Sequence, residues 1–380
     1  MSRSEETRNS KKILIVAGEA SGDLHGSNLI RSLRDLDPRI STWGVGGSRM
    51  AGEGMELLEH ISHLGIIGFT GLFRKVVVLR KTLKKLFRHM ETERPDLVIL
   101  IDFPDFNFMV ARRARWWKIP VLYYISPQIW AWRRGRIKVI KRLVSRICVI
   151  LPFEEDLYKK AGIPVTFVGH PLLDMIPLGT GGGAAGEKAH TIAILPGSRK
   201  TEADLMLPVL MEAAEKIWRK QAHTRFVLPL APTLLREDIQ KKIPSYLPME
   251  ILEEGVPQAL QECRAAMVTS GTATLEAAIA GVPMVVIYRT SWINYLLGRL
   301  LIHVPFISLV NLVAGDEVVP EFIQKKATSE NIAGAALRLL EDGAERSLQI
   351  SALESVRKKL GEPGASQKTA QVVWELLGYA

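Results

Sequence analysis

Short apolar runs of four to six residues recur along the chain, each closed by Gly, Ser, Pro or Asp and most followed by a stretch of helical period. Residues 12–17 (KILIVA), 41–45, 96–101 (DLVILI), 121–125 and 147–150 form the first series. Residues 191–195, 225–230, 249–252 and 265–268, with an apolar run after Gly281-Val282-Pro283, form the second. Runs apolar at nearly every position, without period-two alternation, predict parallel strands covered on both faces. Helical stretches such as those near 24–36 and 202–211 supply the crossovers. The pattern breaks at 174–190 (DMIPLGTGGGAAGEKAH), where three consecutive glycines and no apolar period indicate a linker. The expected fold is α/β, two doubly wound Rossmann-like domains facing across a cleft, with the site between the C-terminal ends of their strands. The boundaries are 1–175, a linker at 176–190, 191–362, and a final helix in 363–380 that packs back on the N-terminal domain.

Composition supports two cores and narrows the setting. The chain has 380 residues, 47% of them hydrophobic, more than one core usually holds. Cys148 and Cys263 are the only thiols, so a disulfide framework or thiolate metal site is not expected and a reducing compartment fits. The first residues, MSRSEETRNSKK, lack an apolar signal core, and no run has the roughly 18 uncharged residues of a membrane span. A soluble protein, or one resting on a membrane surface, is expected.

Charge changes the picture more. Residues 1–150 hold 27 Lys and Arg against 14 Asp and Glu, a balance of +13, while the remainder holds 23 against 26, a balance of −3. Within residues 66–88 (IIGFTGLFRKVVVLRKTLKKLFR) lie seven basic residues and no acid, with apolar residues at near-helical spacing. Such a segment reads as a membrane-surface element or as a packed helix with a solvated basic face. Nucleic acid is a third option, but no recognition-helix, RNP or zinc-finger pattern accompanies the charge. Arg112, Arg113 and Arg115 with Trp116 and Trp117 either extend this surface or bury a Trp pair. Residues 292–304 (WINYLLGRLLIHV) are expected to form a core helix.

Candidate chemistry gathers at strand ends. In MVTSGTATLEAAIAGVPMVVIYR (267–289) a strand runs into Ser270-Gly271-Thr272 and then a helix carrying Glu276. Free N–H groups and the positive helix end suit a diphosphate, and Glu276 one turn on suits the two hydroxyls of a ribose. A plain buried crossover would look much the same. Asp102 and Asp105 in IDFPDFN follow a buried strand; Asp102 is placed to take a proton from an attacking hydroxyl, and Asp105 to cap the next helix. The loop YISPQIWAWR (124–133) offers Gln128 and Trp130 to a sugar or an amphipathic ligand. LPGSR (195–199) turns into a helix, its Arg199 available to negative charge.

These segments, with VAGEASGD (16–23), LPFE (151–154), FVGHPL (167–172) and SLVNLVAG (308–315), together resemble the lipid-A-disaccharide synthase family almost end to end. The resemblance implies a GT-B glycosyltransferase of lipid A biosynthesis in a Gram-negative bacterium. It would join UDP-2,3-diacylglucosamine to 2,3-diacylglucosamine 1-phosphate and release UDP. Transfer would be inverting, α-linked donor to β-1,6-linked product. Asp102 would act as base, with Arg199 and the turn at Ser270, Gly271 and Thr272 meeting leaving-group charge. Gly197, Ser198, Glu276 and Asn311 would complete the donor site. Glu19, Ser21, Gln128 and Trp130 would contact the acceptor, and Leu72, Phe73, Lys81, Lys84 and Lys85 the acyl chains or membrane. No metal or cofactor is implied, and Asp102-Phe103-Pro104-Asp105 lacks Asp-x-Asp spacing. The implied partners are the two lipid sugars and an anionic inner-membrane surface, met from the cytoplasmic face. Nucleic acid is not among them, and a homodimer is left open. His25 has no assigned role. Other UDP-sugar enzymes of this architecture, a peptidoglycan N-acetylglucosaminyltransferase or a UDP-N-acetylglucosamine 2-epimerase, compete with this reading, as does a non-catalytic binding module.

Overall fold

The computed structural model describes residues 10–64, 72–132, 134–176, 190–253, 255–302 and 304–379, without the side chains of 72–75 and 134. The chain divides into two compact units, residues 1–171 with 363–380 and residues 172–362. Most of the predicted linker, and residues 66–71 of the basic segment, lie outside the described residues.

The first unit alternates β1 (Lys12–Ala17), α1 (Ala20–Leu36), β2 (Ser41–Gly46), α2 (Ser48–Gly52), β3 (Glu56–His60), α3 (Leu72–Glu93), β4 (Leu97–Ile101), α4 (Pro104–Trp116), β5 (Val121–Tyr124), α5 (Ile137–Leu143), β6 (Arg146–Val149), α6 (Pro152–Lys160) and β7 (Val165–Phe167). Its strands are all parallel, in the order β3-β2-β1-β4-β5-β6-β7. Because side chains alternate across a strand, each apolar run feeds two cores. Leu14, Val16, Val98 and Leu100 pack with Leu86 and Met90 of α3 and Val110 of α4. Ile13, Ile15, Leu97 and Ile99 pack with Leu29 and Leu33 of α1. Cys148 sits in the second of these cores as a small apolar residue, its thiol pushed up to about 12 by burial.

In the second unit follow β8 (Thr191–Leu195), α7 (Lys200–Lys220), β9 (Arg225–Pro229), α8 (Arg236–Gln240), β10 (Met249–Leu252), α9 (Val256–Gln261), β11 (Ala265–Thr269), α10 (Thr272–Ala280), β12 (Met284–Tyr288), α11 (Trp292–Leu301), α12 (Leu309–Ala314), β13 (Glu321–Ile323), α13 (Ser329–Leu340) and α14 (Ala344–Lys359). The sheet is again parallel, ordered β10-β9-β8-β11-β12-β13. Gly281 ends α10 in the left-handed conformation (φ 72°) that a side chain resists, and Pro283 prevents the helix from resuming. Finally α15 (Ala365–Leu376) returns to the first unit, where Ala370 and Val373 join the α1 core and Glu375 pairs with Arg146 at 2.6 Å.

Packing bears on three expectations. Within α3, Leu83, Leu86 and Met90 point inward while Lys81, Lys84, Lys85 and Arg88 are exposed, a packed helix with a basic outer face. The segment 292–304 is not a core helix: Trp292, Ile293, Leu296, Leu297, Leu300 and Leu301 of α11 are all exposed. Trp116 is likewise exposed, with the Arg113 guanidinium 4.5 Å from its ring and 4.4 Å from that of Trp117, so the two do not form a buried pair.

Candidate functional site

Strand order reverses between β1 and β4 in the first sheet and between β8 and β11 in the second. At such a point successive crossovers leave toward opposite faces, and the strand ends between them are left open to a ligand. Gly18-Glu19 and Asp102-Phe103 occupy the first switch point. Pro196-Gly197-Ser198 and Ser270-Gly271-Thr272 occupy the second.

At the first, Asp102 and Phe103 both adopt φ 45°, a left-handed backbone that costs a non-glycine residue about 1 kcal/mol or more. Surrounding bonds hold it there. The Asp102 carbonyl accepts from the Tyr123 hydroxyl (2.6 Å) and from Asn107 Nδ2 (2.7 Å), which also donates to the Ile101 carbonyl (3.2 Å). The Asp102 N–H donates to the Ile125 carbonyl at 3.3 Å. From the β1 side the Phe103 ring lies so close to Gly18 that a Cβ there would come within 2.2 Å of it. Burial raises the Asp102 carboxyl to about 6, the nearby Glu19 carboxylate adds to the shift, and the Phe103 N–H opposes it. A carboxylate with that affinity for a proton is better matched to general-base work near neutrality than an ordinary aspartate.

The neighbouring candidates divide. Glu19, Ser21 and Gln128 are exposed. Trp130 is half-buried, with its indole N–H donating to Glu154 at 3.1 Å. Glu154, the last residue of LPFE, also accepts from Ser126 Oγ (2.9 Å) and the Leu151 N–H (3.2 Å), and burial outweighs these donors to raise it to about 7. Asp105 does not cap α4, whose capping position is Phe103; it lies in the first turn and pairs with Arg136. The structural anchor of GEASGD is Asp23, which accepts from the N–H groups of Gly47 (2.7 Å), Arg49 (3.1 Å) and Met50 (3.1 Å) at the start of α2. His25 and His170 are both lowered by burial, to about 4 and about 3, and His25 Nδ1 has no hydrogen-bond partner among the described residues.

At the second switch point lies a cavity of about 280 Å³, lined by Gly197, Ser198, Ser270, Gly271, Thr272 and Glu276 together with Glu202, the end of β9 and the start of α9. Glu276 has no hydrogen-bond or ion-pair partner among the described residues, and burial raises its carboxyl to about 7. Ser270 Oγ donates to the Ile307 carbonyl at 2.8 Å, which fixes the turn that opens α10. Arg199 is not in the cavity wall; its exposed guanidinium pairs with Glu202 at 2.9 Å, one residue beyond Ser198. Asn311 does not reach the cavity either. Its Nδ2 donates to Val319 O (2.9 Å) and Glu321 Oε1 (2.8 Å), while its Oδ1 accepts from the N–H groups of Val318 (2.9 Å) and Val319 (3.0 Å), which fills its hydrogen-bonding capacity. Glu321 in turn accepts from Ile307 N at 2.9 Å, so Asn311 acts on Ser270 through Glu321 and Ile307.

Residue patterns alone did not single out Asn107, Tyr123, Glu154 or Glu202. Asn107 lay inside IDFPDFN and Glu154 inside LPFE, but what each touches depends on strands brought alongside by the sheet.

A family model described as lipid-A-disaccharide synthetase matches residues 13–375. The lipid-A-disaccharide synthase of Geobacter metallireducens is 42% identical over 379 residues, covering 98% of this chain and 99% of that one. That of Myxococcus xanthus is 42% identical over 376 residues, covering 97% and 98%. Among solved structures, the glycotransferase of kitacinnamycin superposes with a TM-score of 0.66 at 18% identity, covering 97% of this chain and all of that one. A UDP-N-acetylglucosamine 2-epimerase does so at 0.65 and 14%, covering 98% of each. At these identities the structural likeness establishes the shared GT-B architecture. Full-length identity above 40% and the matched family model carry the assignment further: the chain belongs to the lipid-A-disaccharide synthetase family of glycosyltransferases.

Proposed function

We propose that this glycosyltransferase joins UDP-2,3-diacylglucosamine to 2,3-diacylglucosamine 1-phosphate with inversion, giving the β-1,6-linked disaccharide 1-phosphate and UDP. The observation that carries the reading is the unpartnered Glu276 carboxylate facing the cavity one turn into α10. A half-buried carboxylate with no donor of its own is stabilised by a ligand that brings two, and a ribose does so. The first N–H groups of α10, with Ser270, Gly271 and Thr272, then face the diphosphate. Gly197 and Ser198 bound the other wall. Arg199 exchanges Glu202 for the departing phosphate by side-chain rotation alone, since its guanidinium is already exposed.

On the acceptor side Asp102 takes the proton of the attacking 6-hydroxyl, and Glu19, Ser21, Gln128 and Trp130 surround the acceptor sugar. The first unit would then serve as acceptor domain and the second as donor domain. The basic outer face of α3, with Lys81, Lys84 and Lys85, meets anionic lipid on the cytoplasmic side of the inner membrane. Leu72 and Phe73 precede it, their side chains outside the described residues. Mass spectrometry of the products formed from both diacylated sugars tests the reading. A disaccharide 1-phosphate with stoichiometric UDP is expected from the wild type and none from Asp102→Asn; free UDP and unjoined sugars from the wild type overturn it.

A further inference from the structure

Helix α11 inverts the usual arrangement of an amphipathic helix. Ile293, Leu296, Leu297, Leu300 and Leu301 recur at i, i+3, i+4, i+7 and i+8, the stripe that normally faces a core. Here that stripe is 73%, 61%, 49%, 66% and 58% exposed, while Tyr295 and Gly298 on the opposite side are half-buried. The helix is a fixed protrusion. At its start the Thr290 N–H donates to Gln324 Oε1 and the Thr290 carbonyl accepts from Gln324 Nε2, both at 2.9 Å. Beyond its end, Ile307 is held by Glu321 and by Ser270 of the cavity turn.

We propose that α11 docks the donor unit on a bilayer containing anionic phospholipid, with its stripe in the acyl layer and its length along the surface. Charge fits this occupant. No Asp or Glu occurs between Glu276 and Asp316, Arg299 is the only formal charge on α11, and the Lys325 ammonium lies 5.5 Å from the Trp292 ring centre at the helix start. An aromatic ring beside a cation suits the headgroup level, and Arg299 extends its head to phosphates while its stem stays apolar. Length fits too: ten residues span about 15 Å, far short of a hydrocarbon core of about 30 Å. A second copy fits less well, since a stripe one helix wide and about 15 Å long falls short of the roughly 800 Å² per partner that a stable interface uses. The inference builds on the diacylated-substrate reading, because the Ser270–Ile307 bond sets the cavity turn beside the surface that presents such a substrate.

The test uses the full chain and vesicles of phosphatidylethanolamine and phosphatidylglycerol. Ile293→Ser/Leu296→Ser/Leu300→Ser is expected to lower vesicle co-sedimentation by at least about tenfold while UDP affinity stays unchanged, because these exposed side chains support no core. A polarity-sensitive fluorophore on Leu296→Cys is expected to shift to the blue on vesicles; Cys148 and Cys263 are fully buried and do not compete for the label. Undiminished sedimentation of the triple variant, or a label that stays at its aqueous emission, overturns the proposal. So does a wild type dimeric without vesicles that the triple variant makes monomeric. Transfer between detergent-dispersed diacylated sugars is measured in parallel. A label that enters vesicles in a chain without transfer overturns the functional reading and leaves the docking; transfer with an aqueous label does the reverse.

Discussion

Glu276 concentrates the residue-scale chemistry. Burial raises its carboxyl to about 7, so near neutrality the unliganded protein holds a proton there far more readily than at an ordinary glutamate. Two ribose hydroxyls donating to it favour the ionised form, and UDP binding at pH 6 to 7 is therefore expected to release protons. Calorimetry in buffers of different ionisation enthalpy reads that release, and the UDP phosphate's own share is removed by comparing Glu276→Gln, which is expected to lose the Glu276 part. Identical proton release in both proteins takes Glu276 off the ribose. On the other unit, if Asp102 is the base proposed above, its carboxyl at about 6 predicts that kcat/KM rises as pH climbs through that value, since a base works ionised. Asp102→Asn keeps the volume and removes the proton acceptor, for an expected loss of ~10²–10⁴-fold with UDP affinity intact. Retention of near-normal turnover would pass the base role to another group.

At the scale of elements, the strained end of β4 is the feature to disturb. Tyr123 on β5 and Asn107 on α4 hold the Asp102 carbonyl from two directions. Tyr123→Phe removes one short bond, about 1 kcal/mol of local support, and leaves the ring in its core. The expectation is a fall in kcat of roughly tenfold with little change in KM, because misplacing a base acts on the reacting geometry and not on substrate contacts. A pure KM effect would contradict it. Gly18→Ala attacks the same place from β1, where its Cβ meets the Phe103 ring, and a larger loss is expected because the ring must move. For α3, reversing Lys81, Lys84 and Lys85 to Glu removes and inverts charge worth about 1 kcal/mol per residue near an anionic surface. If α3 docks as proposed, vesicle binding falls sharply at low salt and the difference narrows as salt screens it. Equal binding by wild type and reversal would leave α3 a solvated helix.

Within the first unit, buried titrations oppose one another, and this belongs to the molecule as a whole. Asp102 and Glu154 have raised folded values, so the unfolded chain gives up these protons first and stability falls as pH rises from the ordinary carboxylate range toward 6 to 7. His25 and His170 are lowered, so the unfolded chain holds protons that the folded one lacks, and stability falls as pH drops below about 6.5. Between about pH 5 and 6 two protons stand against two, and the stability of this unit is expected to be nearly flat. His170→Gln removes one opposing group, leaving a decline of at most about 1.4 kcal/mol per pH unit as pH rises across that window. Urea unfolding followed at pH 5, 5.5 and 6 checks it; parallel curves for the two proteins would show that these groups do not set the slope.

Central strands were legible in the sequence because they are buried on both faces. Residues 12–17 and 191–195 coincide with the central strands β1 and β8, and the order of apolar runs implied the doubly wound plan; of the edge strands only β10 was read, at 249–252, through its buried Ile251 and Leu252. The turn and helix carrying Glu276, and the placing of Asp102 at a strand end, were legible for the same reason: switch points follow from strand order. The edge strands β3, β7 and β13 were not, since each is only partly covered and carries residues such as Glu56, Glu59, Thr166 and Glu321 that interrupt an apolar run. Nor does local pattern say which side of a helix meets the core. The stripe of α11 has the period of a buried helix, and only its tethering at Thr290 and Ile307 turns that stripe outward. Asn311 shows the same limit at a single residue. Its segment marks it as polar and functional, but whether an amide faces a ligand or closes its own loop depends on groups up to ten residues away, brought within 3 Å only by the fold.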